Sequence, residues 1–503
     1  MTPELALFMS LLLPLAGTIL IGMSGDSRPN QREVVTFGTA FSLFAITLWL
    51  LGEVLAGEVP QLVWFDLLPG LPIAFKVEPL GMLFALVASG LWIINSIYSL
   101  GYMRGNKEKN QTRFFMCFPI AIMGALGIAY SANMLTLFLF YEVLTLSTYP
   151  LVAHKENEDA KRGARIYLGI LLTTSIGFLL SAIVWTYVAT GTLDFVKGGI
   201  LAKDFDPVLA PILLALYMFG IGKAALMPFH KWLPSAMVAP TPVSALLHAV
   251  AVVKAGVFTV LKVAVYIFGI DFLKETGATD WLLWVASFTL IVASMIALTK
   301  DNLKARLAYS TVSQLAYVVL GVAMASTMGI MGGALQIAMH AVGKITLFFC
   351  AGAIYVATHK TEISQMNGLG RTMPLTFGAF LIGSLSIIGL PPMGGSWSKF
   401  YLMMGAVEGE MLILLGVLLV SSLLNIAYLM PVTVRGFFMS EPTWRDDEDR
   451  VSGQLPEGSS RFSWGDIKEA PLFCVLPLCL TAVGCVILFF TAGDIVALIE
   501  PIL

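Results

Sequence analysis

The chain has 503 residues, of which 57% are hydrophobic and 12% charged, with a formal net charge of −2. A soluble chain of this length carries about twice that charge fraction, so the composition excludes a soluble globular enzyme and points to a polytopic, all-α membrane protein. The near-neutral balance also excludes a basic surface for nucleic acid.

Apolar runs long enough to span a bilayer lie near 4–23, 34–55, 79–101, 114–131, 132–153, 164–190, 207–229, 241–269, 281–299, 305–325, 328–357, 373–405, 411–434 and 471–499, which predicts about fourteen transmembrane helices. Each is close to the roughly 20 residues that cross the hydrocarbon. The split between the fourth and fifth rests only on Ser131-Ala132-Asn133. The first run has no basic stretch before it and no small-residue cleavage site after it, and reads as a mature helix rather than a removed signal peptide. Residues 56–77, punctuated by Pro and Gly with alternation over Leu71–Val77, read as a small external hairpin. Residues 440–470 are polar and read as the largest cytoplasmic loop.

Lysine and arginine test this topology. Loops on one side hold 21 of the 30, those on the other side hold 4 (Lys76, Lys197, Lys203 and Lys274), and 5 fall within helices. The positive-inside rule places the richer side in the cytoplasm, with both termini on the non-cytoplasmic side of the cell inner (plasma) membrane. The five cysteines, Cys117, Cys350, Cys474, Cys479 and Cys485, fall in apolar runs without metal-ligand spacing and read as small buried apolar residues. The sequence holds no CxxC, no glycine-rich phosphate loop and no nucleophile triad, so neither a metal nor a cofactor is expected.

The rest of the chain is organised around residues 219–262. This stretch is apolar, yet it carries Lys223, His230, Lys231, His248, Lys254 and Lys262, and prolines 228, 234, 240 and 242 interrupt it. An ammonium at the centre of a membrane helix costs at least a few kcal/mol. Proline there is tolerated only where other groups satisfy the freed backbone. A broken helix with buried lysines therefore predicts a path for ions or protons. Snorkelling to the interface suits Lys231 and Lys262, whereas Lys223 and Lys254 lie well inside their apolar runs.

Glu142 is the carboxylate well inside the first half, and beside a buried lysine it can stay charged and exchange protons with it as a coupled pair. His340 and Lys344 stand four apart and share a helix face, and His248 stands six before Lys254. With Lys223 and Lys399, these residues form a candidate proton wire linked by water. The histidine spacing is not that of a metal site. MPFHKWLP follows Lys223, whereas LPPMGGSWSKF leads into Lys399. Two Pro-interrupted helices, with the lysine before one break and after the other, are the order of an inverted repeat around a transport site.

FYEVLTLSTYPLV, KAALMPFHKWLPSAMVAPTPVSALLHAVAVVKAG, LKARLAYSTVSQLAYVVLG, HAVGKITLFFCAG and LSIIGLPPMGGSWSKF resemble the antiporter-like membrane subunits of Mrp cation/proton antiporters, respiratory complex I and membrane-bound hydrogenases. The resemblance runs roughly from Phe114 to Tyr428. It implies fourteen helices, two inverted five-helix repeats and two broken helices. It places Glu142 on the fifth helix paired with Lys223 on the seventh, His248, Lys254, His340 and Lys344 on the eighth and eleventh, and Lys399 on the twelfth. It divides the chain into N-terminal helices with the hairpin (1–113), a first repeat (114–269), a second repeat (270–438) and a loop with the last helix (439–503).

The segment PTPVSALLHAVAVVKAG resembles the largest Mrp subunit or the distal complex I subunit, while the length resembles the Mrp D subunit or its hydrogenase counterpart. The implied function is a proton-translocating subunit of a multisubunit Na+/proton antiporter. Its partners would be the other subunits of a hetero-oligomeric membrane complex, protons, Na+ and the lipid bilayer. The alternatives are the proton-pumping membrane subunit of an energy-converting redox complex, without a redox site of its own, and an ion-coupled module for another solute.

Overall fold

The computed structural model describes residues 2–201, 205–439 and 467–503. The polar loop expected at 440–470 therefore lies, over 440–466, outside the described residues. Where no water can solvate the backbone, helices satisfy it internally, and the described chain is mostly helical. In order, α1 is Pro3–Ser24, α2 Pro29–Leu55, α3 Pro79–Gly105, α4 Gln111–Ala129, α5 Met134–Val152 and α6 Glu158–Thr190. There follow α7 (Ala210–Gly220), α8 (Thr241–Phe268), α9 (Asp280–Thr299), α10 (Leu303–Ala323) and α11 (Thr327–Thr358). The chain continues with α12 (Pro374–Ile388), α13 (Gly395–Glu408), α14 (Leu412–Phe438), α15 (Leu472–Phe490) and α16 (Ala492–Ile499). Among the described residues, eleven helices are long and apolar enough to cross a membrane. This is a multi-pass membrane protein.

Polar residues mark where helices begin. The side chains of Asn133, Asn157, Asn302 and Ser326 accept from backbone N–H groups in the first turns of α5, α6, α10 and α11. The short break Ser131-Ala132-Asn133 thus does separate α4 from α5, with Asn133 as the cap. The hairpin expected over 56–77 is present as β1 (Gln61–Leu68) and β2 (Leu71–Lys76), paired antiparallel from Gln61↔Lys76 to Leu68↔Leu71. It is docked on the helices: Lys76 N–H donates to the Tyr130 carbonyl at 2.6 Å, and Ala74 N–H to Thr136 Oγ1 at 3.1 Å.

The centre of the molecule is α8, buried along its whole length, beside α11, which is nearly so. Two spans are interrupted. After α7 the chain runs through residues 221–231 with a single 3-10 turn at Gly222–Ala224. After α12, residues 389–394 separate it from α13. Both breaks fall at the proline-rich stretches singled out above; residues 221–227 of the first are buried, whereas Leu390, Pro391 and Pro392 of the second are exposed on the surface of the chain. All five cysteines are unpaired and buried or half-buried.

Candidate functional site

The 3-10 turn after α7 presents Lys223, which is fully buried. Its Nζ donates to the Tyr141 carbonyl at 2.6 Å and to Thr145 Oγ1 at 2.7 Å, and lies 3.1 Å from the centroid of the Tyr141 ring. Trp232 Nε1 donates to the Gly222 carbonyl at 2.9 Å and pins the turn. Gly256 of α8 lets that helix come against the turn, because a Cβ there would run into the Lys223 carbonyl. The burial cost of a few kcal/mol is offset by two hydrogen bonds to a charged donor, worth roughly 1.5–3 kcal/mol each. Lys223 therefore needs no direct carboxylate partner, and among the described residues it has none. The expected Glu142–Lys223 pairing is not a contact: both Glu142 carboxylate oxygens are buried without a hydrogen-bond partner.

One layer further in, Lys254 Nζ of α8 lies 2.6 Å from His340 Nδ1 of α11. Sequence spacing links His340 to Lys344 and Lys254 to His248, but the direct bond runs across the two helices. His248 packs on the Phe348 ring at 4.8 Å, and neither of its ring nitrogens has a partner. Lys344 Nζ donates to Ser310 Oγ at 2.7 Å. The Tyr428 hydroxyl stands 2.9 Å from the same Ser310 oxygen and bonds Asn425 Oδ1 at 2.5 Å.

Beyond the second break, Lys399 of α13 donates to the Ile388 carbonyl at 2.7 Å and to Ser422 Oγ at 3.1 Å, with the Tyr317 ring 4.9 Å away. Ile388 is the last residue of α12, so its carbonyl is free to accept. Gly389, at φ 89°, turns the chain there, and a Cβ would stand 2.6 Å from Lys399 Cδ. Six of the seven expected residues are thus fully or nearly fully buried, in three clusters, and Glu142 stands half-buried on α5 beside the first.

The same region of sequence is matched by a known family. The NADH:quinone oxidoreductase/Mrp antiporter transmembrane family covers residues 131–425, more than half of the chain. The chain belongs to this family. The N-terminal family of complex I chain 5 matches residues 64–115. An NADH-quinone oxidoreductase subunit N of Desulforudis audaxviator is 30% identical over 97% of this chain and 95% of its own. An NAD(P)H-quinone oxidoreductase chain 5 of Synechocystis is 30% identical over 77% of this chain, which spans 59% of that relative. A probable K(+)/H(+) antiporter component of Rhizobium meliloti is 31% identical over 80% of this chain, which spans 40% of that relative. Among solved structures, a chain of the Mrp complex from a Dietzia species superposes with a TM-score of 0.84 at 22% identity, over 99% of this chain and 96% of the other. A chain of an archaeal membrane-bound sulfane sulfur reductase does so with the same score, identity and coverage. Both structural likenesses are of fold. All seven expected residues of this antiporter-like chain lie inside the matched family region.

Three features of the site are not legible from the residue types singled out. The first is the polar stripe of α10: Ser310, Gln314 and Tyr317 recur at i, i+4 and i+7, the spacing of one helix face. Gln336 donates to Gln314 Oε1 at 2.8 Å, and Ser398, next to Lys399, donates to Gln336 Oε1 at 2.5 Å. The stripe thus joins the Lys344 cluster to the Lys399 cluster, and its spacing was the signal available. The second is Lys262, which corrects the snorkelling reading. It has no exposed surface, and its Nζ stands 2.5 Å from Glu78 Oε2. The partner lies 184 positions away at the start of α3, so no local pattern shows it. Lys231, by contrast, is exposed as expected. The third is His154, beyond the end of α5, where burial and the Arg113 guanidinium push the imidazole down to about 4. It stays neutral near pH 7 and stands outside the row.

Proposed function

We propose that this chain is a proton-translocating, antiporter-like subunit of a multisubunit Na+/proton antiporter, and that protons move along Glu142, Lys223, His248, Lys254, His340, Lys344 and Lys399. The observation that carries this reading is the direct Lys254–His340 bond between two buried helices, flanked by a lysine at each helix break. A buried ammonium held by an imidazole can pass its charge on when the imidazole takes the proton. The wide hydroxyl and amide coverage of α10 and α14 supplies the links that water completes.

In this reading α7 with residues 221–235, α10, and α12 with α13 bring the membrane spans to fourteen. Residues 114–269 and 270–438 form two inverted five-helix repeats around the breaks, after N-terminal helices and hairpin (1–113) and before a cytoplasmic loop and last helix (439–503). The Lys- and Arg-rich face is cytoplasmic, both termini face outward, and the membrane is the plasma membrane. Both carboxylate oxygens of Glu142 are buried and unpartnered, which suits completion by a neighbouring subunit of a hetero-oligomer. Purified alone and reconstituted, the chain then shows little coupled transport.

The near full-length likeness to an NADH-quinone oxidoreductase subunit N favours one second reading, in which the same row pumps protons under redox drive elsewhere in the complex. Vesicles bearing the whole assembly separate the two. Na+ pulses that dissipate a preset pH gradient without electron donor support the antiporter. A pH gradient that builds only with electron donor, and no response to Na+, overturns it in favour of the redox-driven pump.

A further inference from the structure

The row accounts for Lys223, Lys254, Lys344 and Lys399 but leaves the fifth buried lysine, Lys262, unused. Lys262 stands two turns after Lys254 on α8, about 12 Å along the axis. Its ammonium meets Glu78 Oε2 at 2.5 Å and lies 4.4 Å from the Phe195 and Tyr266 ring centroids. The other Glu78 oxygen, Oε1, is 3.0 Å from Lys76 Nζ at the end of β2. Lys76 is partly exposed, with 31% of its side chain accessible, while Glu78 is nearly buried. A cavity of about 300 Å³ opens on this hairpin face, lined by Glu58, Lys76, Glu78, Lys197 and Tyr266. It has room for several waters. One carboxylate therefore bridges a fully buried ammonium and one that touches the cavity. A clamp between α3 and α8 needs only the buried partner; it needs neither the second lysine nor the cavity.

We propose that Glu78, with Lys262 inside and Lys76 outside, is a proton-exchange gate that connects the Lys254–His340 pair to the cavity on the hairpin face. This rests on the proton row proposed above. In the step, an N–H bond of the Lys262 ammonium breaks and an O–H bond forms on Glu78 Oε2, leaving a neutral amine and a neutral acid. The acid then gives its proton to cavity water and regains its charge. The Lys262 amine takes a proton arriving from Lys254 through water, and one positive charge has moved outward. The groups that face Glu78 are Lys262 and Tyr266 from α8 and Lys76 from β2, with Glu58 and Lys197 across the cavity.

The test uses the whole assembly in vesicles. The double substitution Lys262→Met with Glu78→Gln removes both charges together, which avoids stranding one in the interior. Coupled transport is expected to be lost while the subunit stays in the purified complex. Lys254→Ala runs alongside. If the double variant transports at the wild-type rate and Lys254→Ala is dead, the gate is wrong and the row stands. If Lys254→Ala is active too, the row itself fails. A third variant, Lys76→Gln, reads the chemistry rather than the fold. Losing one of its two ammonium neighbours strengthens proton binding at Glu78, so the midpoint of rate against pH on the hairpin side moves to higher pH. An unmoved midpoint overturns the gate, and this profile decides alone if the double variant fails to assemble.

Discussion

The two breaks solve one problem with different means. At both, a buried ammonium beside an interrupted helix meets a hydroxyl, a backbone carbonyl and an aromatic face. At the first, Lys223 sits in the break itself and borrows the carbonyl of Tyr141 from a neighbouring helix. At the second, Lys399 sits on the helix after the break and takes the carbonyl that the break itself frees at Ile388. A carboxylate, Glu142, directly follows the tyrosine that holds Lys223, and the structure places no carboxylate against Lys399 among the described residues. Neutral acceptors can therefore stabilise a membrane lysine, and a nearby carboxylate adds control over its charge rather than the means of burying it.

The largest expected effect breaks the first site. Lys223→Ala or Glu142→Ala abolishes coupled transport in vesicles while leaving the subunit in the purified complex. Full activity in either assembled variant removes that residue from the path. Lys399→Ala likewise stops transport, but Lys399→Glu keeps a measurable part of it, because a protonated carboxyl has one O–H to donate to the freed Ile388 carbonyl or to Ser422 and can still exchange that proton. Equal loss in both variants would show that the sign of the charge, and not its exchange, matters at the second break.

Next comes the geometry that holds each lysine. Gly256→Ala forces α8 away from the Lys223 turn and should cost about 1–3 kcal/mol, the usual range for overpacking, seen as a lower unfolding temperature of the purified complex. Gly389→Ala pays a comparable, roughly 1–3 kcal/mol, strain at its positive φ. A Gly256→Ala protein of unchanged stability would show that the turn tolerates displacement. Tyr428→Phe removes the hydroxyl's contacts with Ser310 and Asn425, each worth about 1 kcal/mol, and slows transport without abolishing it. Lys231→Ala, at an exposed position, is nearly silent.

Much of this architecture is legible in the sequence because hydropathy sets the spans and proline and glycine set the breaks. The hairpin over residues 56–77 and the division of α4 from α5 at Asn133 follow from local chemistry, and the structure has both. The Lys223 and Lys399 breaks were visible for the same reason. What could not be read was pairing at long range. Lys262 looks like an interfacial lysine near a helix end, and Glu78 like a loop residue before Pro79. Only the tertiary fold brings them together. At Glu142 the neighbouring residue makes the contact: Lys223 bonds Tyr141, because a helix presents successive residues about 100° apart.

The central claim is that protons cross the middle of the molecule at the Lys254–His340 bond. His340→Gln keeps an amide oxygen in place to accept from Lys254 but cannot take up and release a proton near neutral pH. Proton flux across vesicles bearing the whole assembly is the direct measurement. The account predicts an assembled His340→Gln complex with flux reduced to background, and flux at the wild-type rate would contradict it.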